Sequence, residues 1–208
     1  MFYKAIKEVF TAELIIKKSR FISILIPLNQ LQDVEKELHD AKQKYPGANH
    51  YCFAYTIRQE GSILERCSDD GEPSGTAGRP ILNVLKTRYL ENVLAIVIRY
   101  FGGVLLGTGG LVKAYTQSVQ SALDPAQIVS MECARKIVVT LDYCHYGSFE
   151  KQFSNIMKQL ADIQYTEQVR VELWIAVDKL PDFMAKVVNL SLGTATMELG
   201  EAGFVAQC

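Results

Sequence analysis

Hydrophobic and polar residues alternate along this chain with changing period, and the changes mark out its elements. Residues 4–27 read as two strands, Ala5–Val9 and Phe21–Ile26, flanking the basic run Lys17-Lys18-Ser19-Arg20. Leu31, Val34, Leu38 and Ala41 recur at spacings of three and four. That predicts a helix from Leu31 to about Lys44, capped near Asn29 and ended by Pro46-Gly47. Tyr51–Ile57 alternates as a strand, and Gly61-Ser62 fits a turn into a further strand at Ile63–Arg66. A polar loop, Ser68–Arg79, then leads to Pro80, well placed in the first turn of a helix running to Leu90. The apolar run Val93–Tyr100 reads as a buried strand, and Gly109–Leu123 as a helix.

The second half has its own rhythm. Lys136–Asp142 alternates as a strand, and Tyr146–Leu160 reads as a helix with Phe149, Phe153, Ile156, Met157 and Leu160 on one face. Strands at Ile163–Glu167 and Val169–Val177, a helix at Leu180–Leu190 and a strand at Thr194–Leu199 complete a β-α-β-β-α-β order, the split βαβ, ferredoxin-like pattern. The chain therefore divides into residues 1–133 and residues 134–208.

Composition narrows the class. The 208 residues are 49% hydrophobic and 22% charged, with a formal net charge of -1, so a packed fold is expected and a bulk polyanion binder is not. The two halves carry balances of +1 and -2, and neither stands out as a nucleic-acid domain on charge alone. Cys52, Cys67, Cys133, Cys144 and Cys208 are odd in number and form no C-x-x-C, as expected of reduced thiols. Early charges of both signs leave no apolar signal core, and no apolar run approaches the ~18 residues of a membrane span. A soluble cytoplasmic protein is expected, with no membrane partner.

Candidate chemistry concentrates in two glycine-rich loops. Arg99-Tyr100-Phe101 precedes five glycines within nine residues, Gly102, Gly103, Gly107, Gly109 and Gly110, and a helix follows at once. Open N–H groups at a helix start favour an anion, with Arg99 and Lys113 near in sequence. Neither nucleotide motif is complete: Thr108 occupies the lysine position of a Walker A, and Val112 the third glycine of a Rossmann fingerprint. Tight packing of backbone on backbone explains such glycines equally well. In the other loop, Asp69, Asp70 and Glu72 could hold magnesium or act as acid and base, or simply form turns. Ser74 misses the nucleophile-elbow spacing by one residue, and the pair His50/Cys52 lacks the further ligands of a zinc site. No metal or cofactor is expected.

Four segments together resemble the YigZ/IMPACT family, as a bacterial two-domain member: Lys17-Lys-Ser-Arg-Phe21, Ala48-Asn-His-Tyr-Cys-Phe-Ala54, Asp69-Asp-Gly-Glu-Pro-Ser-Gly-Thr-Ala-Gly78 and Arg99–Tyr115. The resemblance implies an α+β protein: an N-terminal ribosomal protein S5 domain 2-like α/β sandwich, and a C-terminal ferredoxin-like domain resembling the last domain of elongation factor G. It further implies translation regulation, as eukaryotic members act through protein partners, and it carries over no catalytic residues. The expected function is a noncatalytic protein binding RNA, the ribosome or a translation-related protein, with Arg79, Arg99 and Lys113 on one exposed surface beside the Gly102–Gly110 loop. His50, Asp69, Asp70 and Glu72 form a candidate polar loop. The alternative is a phosphate- or nucleotide-binding enzyme using the same two loops.

Overall fold

The computed structural model describes residues 2–59, 62–156 and 160–206. The chain divides into two compact units, Tyr3–Ser130 and Met131–Cys208, the latter with Met1–Phe2.

The larger unit is built on strands β2 (Phe10–Ile16), β3 (Ser19–Pro27), β4 (His50–Gln59), β5 (Ser62–Ser68) and β6 (Val93–Tyr100), in the order β2-β3-β6-β4-β5. All four pairings are antiparallel. β1 (Phe2–Ile6) precedes them, bonded through Lys4 to the backbone of Tyr89 and Glu91. Helix α1 (Asp33–Lys44) covers one face of the sheet, and α2 (Gly78–Thr87) and α3 (Gly107–Leu123) cover the other. The period of two decides which residue meets which layer. Phe21, Leu25, Cys52, Ala54, Ala95 and Val97 face α2 and α3, while Ile22, Ile24, Leu94, Ile96, Ile98 and Tyr55 face α1. β6 is buried on both faces, as its unbroken apolar run requires.

The smaller unit runs β7 (Ile128–Leu141), α4 (Tyr143–Gln152), β8 (Leu160–Tyr165), β9 (Val169–Ala176), α5 (Leu180–Leu190) and β10 (Thr196–Ala206). Its strand order is β10-β7-β9-β8, antiparallel throughout, the βαββαβ arrangement expected of a ferredoxin-like domain. Phe149, Phe153 and Phe183 form its aromatic centre, with ring centroids 4.7–6.3 Å apart. The protein is α+β.

Several elements differ from the sequence reading. The first 27 residues hold three strands: Phe10–Ile16 alternates half-buried and exposed positions and forms β2, with Lys17-Lys18 as its two-residue turn into β3. Helix α1 starts at Asp33 with no side-chain cap; Asn29 does not cap it. Helix α2 stops at Thr87, because Tyr89 and Asn92 adopt left-handed backbone at φ 56° and 54°. Helix α4 ends at Gln152, well before Leu160. Gly61 and Met157 lie outside the described residues.

Candidate functional site

The two glycine-rich loops meet at the end of β6, on the α2/α3 side of the sheet. Arg99 follows Val97 by two residues and therefore points to the same side. Its guanidinium lies between two rings, 5.4 Å from the Phe21 centroid and 5.5 Å from that of Phe101. Nη1 donates to Glu72 Oε1 at 2.6 Å, and Nη2 donates to Ser19 Oγ at 3.3 Å. The Tyr115 hydroxyl, from α3, donates to the same Glu72 oxygen at 2.7 Å. Arg99 and Glu72 are both buried, so each charge is held out of water by the other. Arg99 Nε finds no hydrogen-bond partner among the described residues.

Around this pair the side chains brace the loops. His50 Nε2 stands 3.9 Å from Glu72 Oε1, and its Nδ1 is 2.8 Å from the Asp70 carbonyl. Asp70 in turn accepts the Tyr51 backbone N–H at 2.6 Å. The Asp69 carboxylate accepts three backbone N–H groups, from Gly75, Ala77 and Gly78, at 2.8–3.0 Å. Burial pushes the Asp69 carboxyl up, but the three donors outweigh it and hold the group below the ordinary carboxylate range. Cys52 Sγ lies 2.9 Å from the Asp69 carbonyl and 3.4 Å from the Tyr115 hydroxyl. Burial pushes that thiol up to about 12, so it stays protonated at neutral pH and is no nucleophile. Burial also raises Tyr115 well above the usual phenol range.

Two glycines explain how closely the loops sit. A Cβ on Gly102 would fall 2.0 Å from the backbone carbon and oxygen of Lys18, so only glycine lets the loop lie on the β2–β3 turn. A Cβ on Gly78 would fall 2.8 Å from the backbone of Ser68. Gly109 is different: nothing lies within 4 Å of the position its Cβ would take.

A recess of about 450 Å³ opens over the pair, lined by His50, Glu72, Arg99, Phe101, Gly107 and Thr108 among others. Leu105, 83% exposed, stands on its rim. The start of α3 contributes no side-chain cap and no acidic residue.

The polar-loop residues His50, Asp69, Asp70 and Glu72 are thus brought together, and the Gly102–Gly110 loop joins them. The expected common surface of Arg79, Arg99 and Lys113 is not formed. Arg99 is buried against Glu72, while Arg79 and Lys113 are exposed on α2 and α3, Arg79 beside a groove with Asn83, Val112 and Thr116. Ser19 and Tyr115 complete the network; they lie within the basic run and the Arg99–Tyr115 segment, but nothing in their local pattern marks a serine or a tyrosine as the partner of a distant charge. No group of three or more His, Cys, Asp or Glu residues suited to a metal occurs among the described residues. No helix there is long and apolar enough to cross a membrane.

Comparison with known proteins places these loops. The Impact N-terminal domain matches residues 17–123, which include both. The protein described as IMPACT family member YvyE of Bacillus subtilis (strain 168) is 35% identical over 203 residues, 98% of this chain and 93% of its own. IMPACT family member YigZ of Escherichia coli (strain K12) is 32% identical over 180 residues, 86% of this chain and 88% of its own. A crystal structure of a hypothetical protein, 29% identical, covers 96% of this chain and 98% of its own at a TM-score of 0.62.

Proposed function

The chain belongs to the IMPACT family, and we propose that it serves as a noncatalytic, cytoplasmic regulatory protein linked to translation, binding RNA, the ribosome or a translation-related protein. The observation that carries this reading is the internal engagement of the charged groups a catalyst would use. Glu72 accepts from Arg99 and Tyr115, and Asp69 accepts from three backbone N–H groups. These bonds fix the two loops as a rigid rim and leave Phe101, Val104 and Leu105 exposed, a surface suited to holding a partner. The family resemblance supplies the link to translation.

Co-sedimentation of the full chain with ribosomes across a salt series tests this. Binding that weakens steeply with salt indicates phosphate contacts. Binding indifferent to salt indicates an apolar protein interface. No sedimentation at low salt removes direct ribosome contact.

One set of observations favours a second reading, a phosphate or nucleotide binder. The recess ends at the uncapped start of α3, where Gly107 and Thr108 line it, and Arg99 Nε has no hydrogen-bond partner among the described residues. ATP or GTP with magnesium at 100 times its Kd would then stabilise the fold by about 2.7 kcal/mol. An unmoved melting temperature at millimolar nucleotide rejects it.

A further inference from the structure

The opposite side of the same sheet carries a second feature. Tyr100 follows Arg99 and therefore points to the α1 side, where Arg20, next to Ser19, also points. The Arg20 guanidinium lies 5.5 Å from the Tyr100 ring centroid. At the end of α1, Lys42 lies 5.7 Å from the Tyr51 ring and Lys44 lies 5.5 Å from the Tyr45 ring. The Tyr51 hydroxyl donates to the Tyr45 carbonyl at 2.6 Å, and the Tyr100 hydroxyl donates to the Pro46 carbonyl at 3.2 Å. The three rings therefore belong to one patch. Each packs on the α1-side core and is half-buried, while the cation over it is exposed.

Two more exposed cations lie in the β2–β3 turn, next along the chain to Arg20. Lys17 and Lys18 occupy the two central positions, with φ 45° and 67°. Turn chemistry favours Asn-Gly there, because both residues must adopt left-handed backbone. Gly102 lies directly on the Lys18 backbone, and its N–H donates to Ser19 Oγ at 3.2 Å, so the strained turn is held in place. In a chain of net charge -1, Arg20, Lys42 and Lys44 thus gather on three tyrosines at one end of one face, with Lys17 and Lys18 in the turn next to Arg20. Of the nearby carboxylates, Glu13 pairs with Arg20 at 2.8 Å and Asp70 accepts the Tyr51 N–H, while Asp40 lies one helical turn before Lys44.

Resting on the translation-linked reading above, we propose that this patch binds single-stranded RNA, its bases stacked on Tyr45, Tyr51 and Tyr100 and its phosphates held by Lys17, Lys18, Arg20, Lys42 and Lys44. Exposed cation–π contacts are weak beside base stacking, so each cation can leave its ring for a phosphate while a base takes its place. A duplex keeps its bases paired and stacked internally, and so cannot use the rings. An acidic peptide would use the cations and leave the ring faces idle.

The test is fluorescence anisotropy of the full chain with a labelled oligoribonucleotide of about 12 nucleotides, within the span that single-strand sites cover. Binding through five cations gives a slope of log affinity against log salt of about -3.5, and the Lys42→Ala/Lys44→Ala variant lowers its magnitude by about 1.4. Tyr100→Leu, checked for fold by circular dichroism, weakens binding about 5- to 150-fold, the equivalent of one lost stack, with the slope kept. Tyr51→Leu gives the same test if the Tyr100 variant does not fold. An affinity and slope unmoved by the lysine variant overturn the proposal. So does loss with the lysines but not with either tyrosine, which marks a general polyanion or acidic-protein site. Ribosome co-sedimentation of the lysine variant separates the two levels. Sedimentation retained without oligoribonucleotide binding sinks this face alone, and loss of both in the unaltered chain sinks the translation reading as well.

Discussion

Arg99 and Tyr100 are neighbours in sequence and lie on opposite sides of one strand, and the two sides treat polar groups in opposite ways. On the α2/α3 side two helices close over the sheet, and most polar groups there find partners within the fold: the Arg99 guanidinium through Nη1 and Nη2 with Glu72 and Ser19, and Ser23 with Ser118 at 2.6 Å. On the α1 side a single helix covers five strands. Phe53, Tyr55, Gln59 and Arg66 line a groove of about 740 Å³ between that helix and β4–β5, and the patch of cations and tyrosines stays open at the far end. The number of covering helices therefore sets the use of a polar residue. Under complete cover it must stabilise the fold or be lost, because an unpaired buried group is costly. Under partial cover it is free to meet something else. Substitutions on the closed side should change stability, and those on the open side should change binding.

The sharpest break of that contrast is Glu72→Ala. It leaves the Arg99 guanidinium buried between Phe21 and Phe101 without its carboxylate, and should cost about 3–5 kcal/mol, seen as a shifted midpoint in chemical unfolding. Glu72→Gln, which keeps an acceptor for Tyr115, should cost less. Equal losses would show that the charge carries the contribution and the retained acceptor adds little. Next comes Gly102→Ala. Its methyl would meet the Lys18 backbone at 2.0 Å, so the loop must lift from the turn, at a cost of about 1–3 kcal/mol. Because that contact joins the two sides, it should also weaken any binding that uses Lys17 and Lys18. A drop in stability with binding intact would place the ligand elsewhere.

The contrast also marks how much was legible in the sequence. The unbroken apolar run of β6 and the alternation along β4 were plain, as was the β-α-β-β-α-β order of the second unit. So were the glycine loops, because glycine next to glycine has few other uses. The side to which each cation turns was not. Arg99 ends an apolar run, and a basic residue there reads equally as a free cation or as a buried one. Its fate depends on Glu72, 27 residues earlier, and on Tyr115, 16 later, a pairing set by the meeting of two loops and a helix. Lys17-Lys18 reads as a basic run, and only the pairing of β2 with β3 makes it a two-residue turn. Tyr45 lies outside the quoted motifs, and nothing in the motifs holding Tyr51 and Tyr100 marks their rings; the chain brings the three together only through the β4–β6 pairing and the end of α1.

A smaller effect on the closed side has a definite pH window. The Asp69 carboxyl is held below its ordinary range in the folded chain and returns to it on unfolding. Its contribution is thus fully present above the unfolded-state pKa and is lost as pH falls through the folded one. Stability measured from neutral pH downward should show an acid-side decline that Asp69→Asn reduces. An unchanged slope in that variant would mean that other carboxylates carry the acid response.

The smallest expected effect decides whether the two sides differ as described. Lys42→Ala/Lys44→Ala removes two exposed side chains whose ring contacts are of the weak, solvated kind, and should move stability by no more than about 0.5 kcal/mol. Both lysines lie in the last turn of α1, where positive charge offsets the open carbonyls, so a small loss of helix stability is the most that follows. Thermal unfolding of the variant beside the unaltered chain measures this directly. A near-zero shift would mean that the fold does not require these cations, in contrast to Arg99. A shift as large as that of Glu72→Ala would mean that the cations brace α1 against the sheet, and the open side would then be as structural as the closed one.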